Sequence, residues 1–124
     1  MKNLLLVIAT FFSVAAMSAP ALANGDGEEL FKKKCKSCHT YKDASKHGMG
    51  PSLFGVMGRK AGTVSGYKRF SDGMKASGVV WDDASMDGLM ANSTKFVEGG
   101  NMKGIKIKDA GDREKIIAYI KTLK

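Results

Sequence analysis

The residues best suited to chemistry in this sequence form the segment Cys35-Lys36-Ser37-Cys38-His39. Two thiols separated by two residues, with a histidine directly after the second, are the pattern of c-type haem attachment. Each thiol can add to one haem vinyl group, and the adjacent imidazole can bind the iron. For that role His39 must be neutral, and its other ring nitrogen must donate to a fixed acceptor. The motif predicts one covalently attached haem c, with iron as the metal.

Three other uses of the cysteine pair fit the sequence less well. A dithiol redox site of the thioredoxin type belongs to a βαβ context, which the sequence does not suggest. A zinc site needs four ligands, and His47 is the only further ligand of the usual nitrogen or sulfur type. A Cys35–Cys38 disulfide would close a very small loop and add little stability. Haem attachment is therefore the favoured interpretation.

The second axial position of the iron decides between an electron carrier and a haem enzyme. Met102 follows Gly99-Gly100-Asn101, a flexible loop from which a thioether could reach the iron. Spacing alone leaves a ligand role and ordinary packing equally open for this methionine. An open distal face would instead indicate a small haem enzyme or a gas-binding sensor. A peroxidase needs acid–base groups over the iron, and the chain has only His39 and His47 as histidines.

The first 23 residues have the pattern of a cleaved signal peptide. Lys2 precedes an apolar run from Leu4 to Met17, and Ala21-Leu22-Ala23 is a small-residue cleavage signal. A membrane anchor would need roughly 20 apolar residues, and the run is shorter. We expect cleavage after Ala23 and export to a bacterial periplasm. Residues 24–124 would then form one domain without stable membrane insertion.

The charge of the chain is strongly basic, with 20 Lys and Arg against 12 Asp and Glu. Loss of residues 1–23 removes only Lys2, so the excess of positive charge stays with the domain. Such a surface attracts acidic partners. Nucleic acid is not expected as a partner, because no recognition motif is present and the chain is predicted to be exported.

The spacing of apolar residues predicts an all-α domain with long loops. The first helix is expected to begin after Asp26 and to carry Cys35 and Cys38 along one face with its apolar residues. Glycines and Pro51 predict a loop over residues 40–66. Further helices are expected from Ser71 to Ser77, from Asp82 or Asp83, and from Asp109 or Asp112 onward, the last with Ile116, Ile117, Ile120 and Leu123 as its apolar stripe.

Residues along the whole domain form one ordered pattern. They are Gly27, Phe31, the Cys35–His39 motif, Gly50-Pro51-Ser52-Leu53-Phe54-Gly55, Gly58-Arg59-Lys60-Ala61-Gly62, Trp81, Met102 and Tyr119. In this order and spacing they resemble the class I cytochromes c, in particular the branch of mitochondrial cytochrome c and bacterial cytochrome c2 or c550. The resemblance covers essentially all of residues 24–124. It implies the class I cytochrome c fold, with three to five helices and long loops wrapped around one haem.

The resemblance implies a complete haem site. Met102 would be the distal ligand opposite His39, a pairing that raises the reduction potential. The Pro51 carbonyl would accept the hydrogen bond that orients His39. Arg59 and the Trp81 indole N–H would bind a haem propionate.

The same resemblance implies two structural roles. Gly27, Phe31 and Tyr119 would form the crossing of the first and last helices, where glycine allows close approach. His47 would tie two loops together by a hydrogen bond.

Several positions depart from the usual family pattern. Phe70 stands where a tyrosine hydroxyl usually meets a propionate, and Leu89 where a tyrosine usually bonds the methionine sulfur. Met74 replaces an asparagine near the haem. Gly100 and Gly104 replace a threonine and an aromatic residue beside the ligand. These changes predict a weaker iron–sulfur bond than in the mitochondrial proteins.

The resemblance implies a diffusible, monomeric one-electron carrier rather than an enzyme. Its partners would be acidic redox proteins, such as a bc1-type complex, a terminal oxidase, a photosynthetic reaction centre or a periplasmic dehydrogenase. Transient docking would use a ring of lysines around the haem edge. These are Lys34, Lys95, Lys103 and Lys106.

Overall fold

The structure is a computed structural model that describes residues 24–124, so the predicted signal peptide lies outside the described residues. Within this range the chain is all-α, as predicted, and its β structure is limited to an isolated bridge between Lys60 and Val80. No helix in the described part of the chain combines the length and apolar character needed to cross a bilayer. The helices are α1 (Asn24–Lys34), α2 (Asp72–Ala76), α3 (Asp83–Ala91), α4 (Ser93–Phe96) and α5 (Ala110–Ile120).

Polar side chains at their N-termini start three of these helices where the sequence predicted. The Ser71 hydroxyl accepts the Met74 N–H before α2, at 3.1 Å. Asp82 and Ser85 form a reciprocal capping box before α3. The Asp109 carboxylate accepts the Asp112 N–H before α5, at 2.9 Å. Each cap satisfies an N–H group that the helix itself cannot pair.

The bounds of α1 differ from the prediction. Asn24, the first described residue, is already helical, so Asp26 lies within the helix instead of preceding it. It ends at Lys34, so Cys35 and Cys38 lie in turns beyond the helix and not on its face. In these turns the N–H groups of Cys38 and His39 both donate to the Cys35 carbonyl, at 3.1 and 3.0 Å. These turns bring both thiols and the imidazole to the same side of the chain.

The short helix α4 was not predicted from the sequence. Its four residues offer too little length for an apolar period. The Asn92 side chain caps it by accepting the Lys95 N–H at 3.2 Å. The buried Ser93 hydroxyl accepts the Ile105 N–H at 3.1 Å. This helix thus anchors the chain that follows Met102.

The crossing of α1 and α5 is the centre of the core. Phe31, Ile116 and Ile120 are almost completely buried there. The Tyr119 ring packs on Phe31 with 5.1 Å between ring centroids. A side-chain carbon on Gly27 would overlap the Lys115 carbonyl oxygen, so only glycine lets the helices approach this closely. The crossing matches the one implied by the family resemblance.

His47 connects two stretches of the long loop between α1 and α2. Its Nε2–H donates to the Ser65 carbonyl at 3.0 Å, and its Nδ1 accepts the Ser52 N–H at 3.0 Å. The expectation that His47 ties two loops together is confirmed. Since both ring nitrogens are used, this histidine has a structural role.

Candidate haem site

A cavity of about 460 Å³ opens between α3, α5 and the long loops. All seven residues predicted for the haem site line this cavity. Its apolar wall suits a large flat cofactor, because an apolar wall that is left in contact with water is unfavourable. The predicted site residues are Cys35, Cys38, His39, Pro51, Arg59, Trp81 and Met102, and the apolar wall includes Val56, Met74, Met86, Leu89, Met90 and Ile120.

His39 is held in one orientation by a main-chain acceptor. Its Nδ1 lies 2.7 Å from the Pro51 carbonyl oxygen, and because a carbonyl can only accept, Nδ1 carries the proton. Burial lowers the pKa of His39 despite this hydrogen bond, which acts in the opposite direction. The ring is therefore neutral, and its Nε2 lone pair is available to a metal.

Gly50 lets the backbone lie directly against the His39 ring. A side-chain carbon at Gly50 would come within 2.7 Å of His39 Nδ1 and overlap the ring. The Gly50 N–H also donates to the Cys38 carbonyl at 2.8 Å. The family resemblance included Gly50, but the sequence did not reveal that it packs on His39. The only hint of this role is its position directly before Pro51.

The two cysteines are free thiols that face the cavity. Burial, with a smaller effect of Cys38, raises the pKa of the Cys35 thiol to about 11. A thiol with a raised pKa forms little of the reactive thiolate, which argues against a dithiol redox site. Within residues 24–124 no three His, Cys, Asp or Glu side chains converge as a metal-binding group, so a zinc site would lack ligands. The pair fits covalent attachment to a cofactor.

Arg59 and Trp81 both line the cavity. The Arg59 Nη2 donates to the Phe54 carbonyl at 2.8 Å, and no carboxylate within the described chain pairs with this guanidinium. Burial lowers the pKa of Arg59. A partly buried cation without an anionic partner fits a carboxylate supplied by a cofactor. Trp81 is 8% exposed and lines the same cavity.

Met102 lines the cavity from a glycine-flanked loop. Gly99 and Gly104 have φ angles of 70° and 80°, a region that other residues rarely adopt. Next to Met102, Asn101 also faces the cavity and reaches the main chain of Arg69. Neither Asn101 nor Arg69 could be identified from the sequence, because each is a single polar residue in a loop without a pattern.

The departures from the family pattern lie at the cavity itself. Phe70, Met74 and Leu89 all line it and offer no hydroxyl or amide to a ligand. Tyr67 also lines the cavity, but its hydroxyl donates to the Met49 carbonyl. The cavity is therefore poorer in polar groups than the family pattern implies.

Cationic side chains surround the cavity, and no acidic residue lines it. Of the lysines expected at the haem edge, Lys34 and Lys103 line the cavity, whereas Lys95 and Lys106 do not. We define the basic rim as the exposed cations that line the cavity. These are Lys34, Lys60, Arg69 and Lys103.

Comparison with known proteins places this geometry in a family. Residues 25–124 match the sequence profile of the family described as Cytochrome c. Cytochrome c2 iso-2 of Magnetospirillum molischianum is 44% identical over 73% of this chain and 91% of its own length. Cytochrome c2 of Rhodomicrobium vannielii is 39% identical over 93% of both chains. The solved structure of cytochrome cH from Methylobacterium extorquens superposes with a TM-score of 0.71 at 42% identity, covering 80% of this chain and 97% of that one.

The family carries a covalently bound haem c, and both cysteines needed for attachment face the cavity. The cavity's apolar wall, its neutral histidine and its unpaired guanidinium fit that cofactor. The five helices of the described chain agree with the class I fold of the related structure. The chain is therefore a class I member of the cytochrome c family.

Proposed function

We propose that the protein is a one-electron carrier in which His39 and Met102 would bind the haem iron. The observation that carries the proposal is the presence of both side chains on one cavity, with His39 held neutral and oriented by Pro51. Bound haem supplies an iron that gains and loses one electron. No general base or nucleophile is needed. His47, the only other histidine, has both ring nitrogens engaged and does not line the cavity.

The protein residues around the cofactor have separate tasks in this proposal. Cys35 and Cys38 would fix it to the chain, and the apolar wall would keep water from it. Arg59 and Trp81 would hold a propionate. Because the Arg59 guanidinium lacks a carboxylate partner within the described chain, the propionate would complete its charge pairing.

The proposed location is the bacterial periplasm, reached after cleavage behind Ala23. The apolar run from Leu4 to Met17 and the Ala21-Leu22-Ala23 segment support export. Residues 24–124 would then be the mature cytochrome c domain, acting as a monomer. Mass spectrometry of the protein purified from an exporting host tests this, since a chain that starts at Asn24 is expected.

The proposed partners are acidic redox proteins that dock at the basic rim. A bc1-type complex, a terminal oxidase, a reaction centre or a periplasmic dehydrogenase would each meet this description. A cavity edge with exposed cations and no acid would attract an acidic surface during encounter. Oxidation and reduction of the purified protein by membrane fractions, with inhibitors of each complex, would identify the partner.

The visible spectrum of the haem-loaded protein tests the carrier function. We expect six-coordinate, low-spin haem in both oxidation states. Met102→Ala should open the distal position and produce high-spin haem in the ferrous state. Met49→Ala is the matched control, because Met49 also lines the cavity but is 70% exposed, and its spectrum should not change. High-spin ferrous haem in the unaltered protein would instead indicate a gas-binding sensor.

A further inference from the structure

The loop that carries Met102 has few fixed points near the ligand. In the part of the chain that the structure describes, the main chains of Met102 and Lys103 make no hydrogen bond to other residues. On either side of these two residues the chain is held, by the Gly100 N–H on the Val97 carbonyl at 3.1 Å and by the Gly104 N–H on the Thr94 hydroxyl at 3.3 Å. The attachment closest to the ligand is the side chain of Asn101, whose Nδ2 donates to the Arg69 carbonyl at 2.8 Å.

Arg69 in turn is attached to the loop on the proximal side. Its Nη2 donates to the Gly48 carbonyl at 2.7 Å. The Gly48 N–H donates to the Gly50 carbonyl at 3.0 Å, and Gly50 packs on the His39 ring. One residue thus contacts the proximal loop through its side chain and the Met102 loop through its main chain.

Tyr67 strengthens the proximal half of this connection. Its hydroxyl donates to the Met49 carbonyl, directly beside Gly48. The Arg69 guanidinium lies 5.8 Å from the centre of the Tyr67 ring, a distance typical of a cation–π contact. Two side chains of the segment 67–69 therefore hold it to residues 48 and 49.

We propose that Arg69 and Asn101 are positioning residues for Met102, joined in a clasp that links the loop of the distal ligand to the loop packed on His39. The proposal rests on the proposed assignment of Met102 as the distal ligand and goes beyond it. Because glycine replaces larger residues on the Met102 loop, the clasp supplies rigidity that the loop sequence lacks. Both residues line the cavity, so a loosened clasp would act directly at the ligand.

Imidazole titration of the ferric, haem-loaded protein tests the clasp, because imidazole binds only when Met102 leaves the iron. Asn101→Ala removes the donor to Arg69, and we expect it to raise the apparent imidazole affinity about three- to tenfold, the range for one hydrogen bond. Asn101→Asp provides a second variant of nearly the same size that cannot donate, and it should also raise the affinity. Unchanged affinity in both variants would overturn the clasp.

Arg69→Ala should raise the imidazole affinity because the carbonyl bound by Asn101 loses its support. Lys68→Ala removes the same charge from an exposed neighbour and should leave the affinity unchanged. In a chain already altered by Asn101→Ala, the change Arg69→Ala should have little further effect, since the link between the loops is already broken. Independent, additive effects of the two substitutions would contradict a joined clasp.

Met102→Ala separates this proposal from the assignment of the ligand. If Met102→Ala leaves the spectrum and the imidazole affinity unchanged, Met102 is not the ligand and the proposed ligation fails. If Met102→Ala opens the iron but the Asn101 and Arg69 variants bind imidazole as the unaltered protein does, the clasp alone is wrong.

Discussion

His39 is held more firmly by its neighbours than Met102 is. His39 is fixed by the Pro51 carbonyl and by the packing of Gly50 on its ring. Met102 sits in a loop with glycine on both sides, and the hydrogen bond nearest to it along the chain is the one from the Asn101 side chain to the Arg69 carbonyl. With both side chains as the proposed iron ligands, the difference implies that the bond from His39 is the more durable one. Exchange of ligands should therefore begin at the distal side.

The residue-scale prediction concerns the strength of the proposed bond between Met102 and the haem iron. Phe70, Met74 and Leu89 surround the cavity with apolar groups and supply no hydrogen bond to the sulfur or to the propionates. We expect imidazole or carbon monoxide to displace Met102 at lower concentration than in mitochondrial cytochrome c. Parallel titrations of both proteins, followed in the visible spectrum, measure this. Equal or weaker displacement in this protein would contradict the prediction.

At the scale of elements, the local signals in the sequence located the helices that begin with polar caps. Ser71, Asp82 and Asp109 were recognisable because capping depends on residues within three positions. The end of α1 and the existence of α4 were not predictable in this way. The turns at Cys35 and Cys38 are closed by local hydrogen bonds to the Cys35 carbonyl, and α4 has only four residues and is tied through Ser93 to Ile105. Neither feature leaves a periodic signal in the sequence.

The residues of the candidate site, like the helices, were predictable only in part from the sequence. All seven residues that the motif and the family resemblance named for the site line the cavity. The link between Arg69 and Asn101 spans 32 positions in the chain, and no spacing rule connects such residues. Sequence therefore revealed the chemistry of the site, whereas its mechanical support required the structure.

The crossing of α1 and α5 gives a prediction about stability. Gly27→Ala places a methyl group against the Lys115 carbonyl oxygen and forces the helices apart. We expect the free energy of unfolding to fall by about 1–3 kcal/mol, as for other overpacked contacts. Urea unfolding of the haem-loaded protein measures it.

Gly25→Ala is the matched control, because a methyl group there meets no atom within 4 Å and the residue lies in the same helix. Its free energy of unfolding should stay equal or rise slightly, since alanine favours helix over glycine. Equal losses in both variants would indicate that the crossing does not require glycine.

The capping box of α3 gives a prediction about pH. Hydrogen bonds from the Ser85 main-chain N–H and then its side chain lower the pKa of Asp82. A group with a lowered folded-state pKa stabilises the fold above its unfolded pKa, about 3.9 for aspartate. This contribution is lost as the pH falls through the lower folded-state value.

Asp82→Asn tests that prediction, because asparagine can still accept the Ser85 N–H but does not titrate. The difference in unfolding free energy between the two proteins should be constant above about pH 5. Below about pH 4 the unaltered protein should lose stability relative to the variant. Urea unfolding at a series of pH values provides the curve. If the difference stays constant down to acidic pH, the cap carries no charge-dependent stabilisation.

At the scale of the whole molecule, charge is distributed unevenly around the haem cavity. The ion pairs of the described chain, such as Asp87–Arg113 and Asp83–Lys121, involve no residue of the cavity lining. The acidic residues therefore neutralise cations elsewhere, whereas the basic rim remains free to act on a partner. Four exposed cations without a carboxylate partner in the described chain therefore lie at the edge of the cavity.

The final prediction concerns the rate of electron transfer with an acidic redox partner. Lys34→Glu and Lys103→Glu each reverse a charge on the basic rim and should lower the second-order rate constant at low salt. We expect a fall of about three- to tenfold for each, because one charge contact in water is worth about 1 kcal/mol. Lys108→Glu changes the net charge equally at an exposed position that does not line the cavity, and it should have a smaller effect. Stopped-flow mixing measures all three rates.

Ionic strength separates docking at the rim from a general effect of charge. The Debye length falls from about 30 Å at 0.01 M salt to about 10 Å at 0.1 M, so the attraction between exposed charges is progressively screened. The unaltered protein should slow as salt rises, and the two rim variants should converge toward its rate. A partner that docks at the cavity edge must interact more strongly with the rim cations than with the distant Lys108. A rate that does not depend on salt, or an equal loss of rate in the Lys108 variant, would therefore show that the cavity edge is not the docking face.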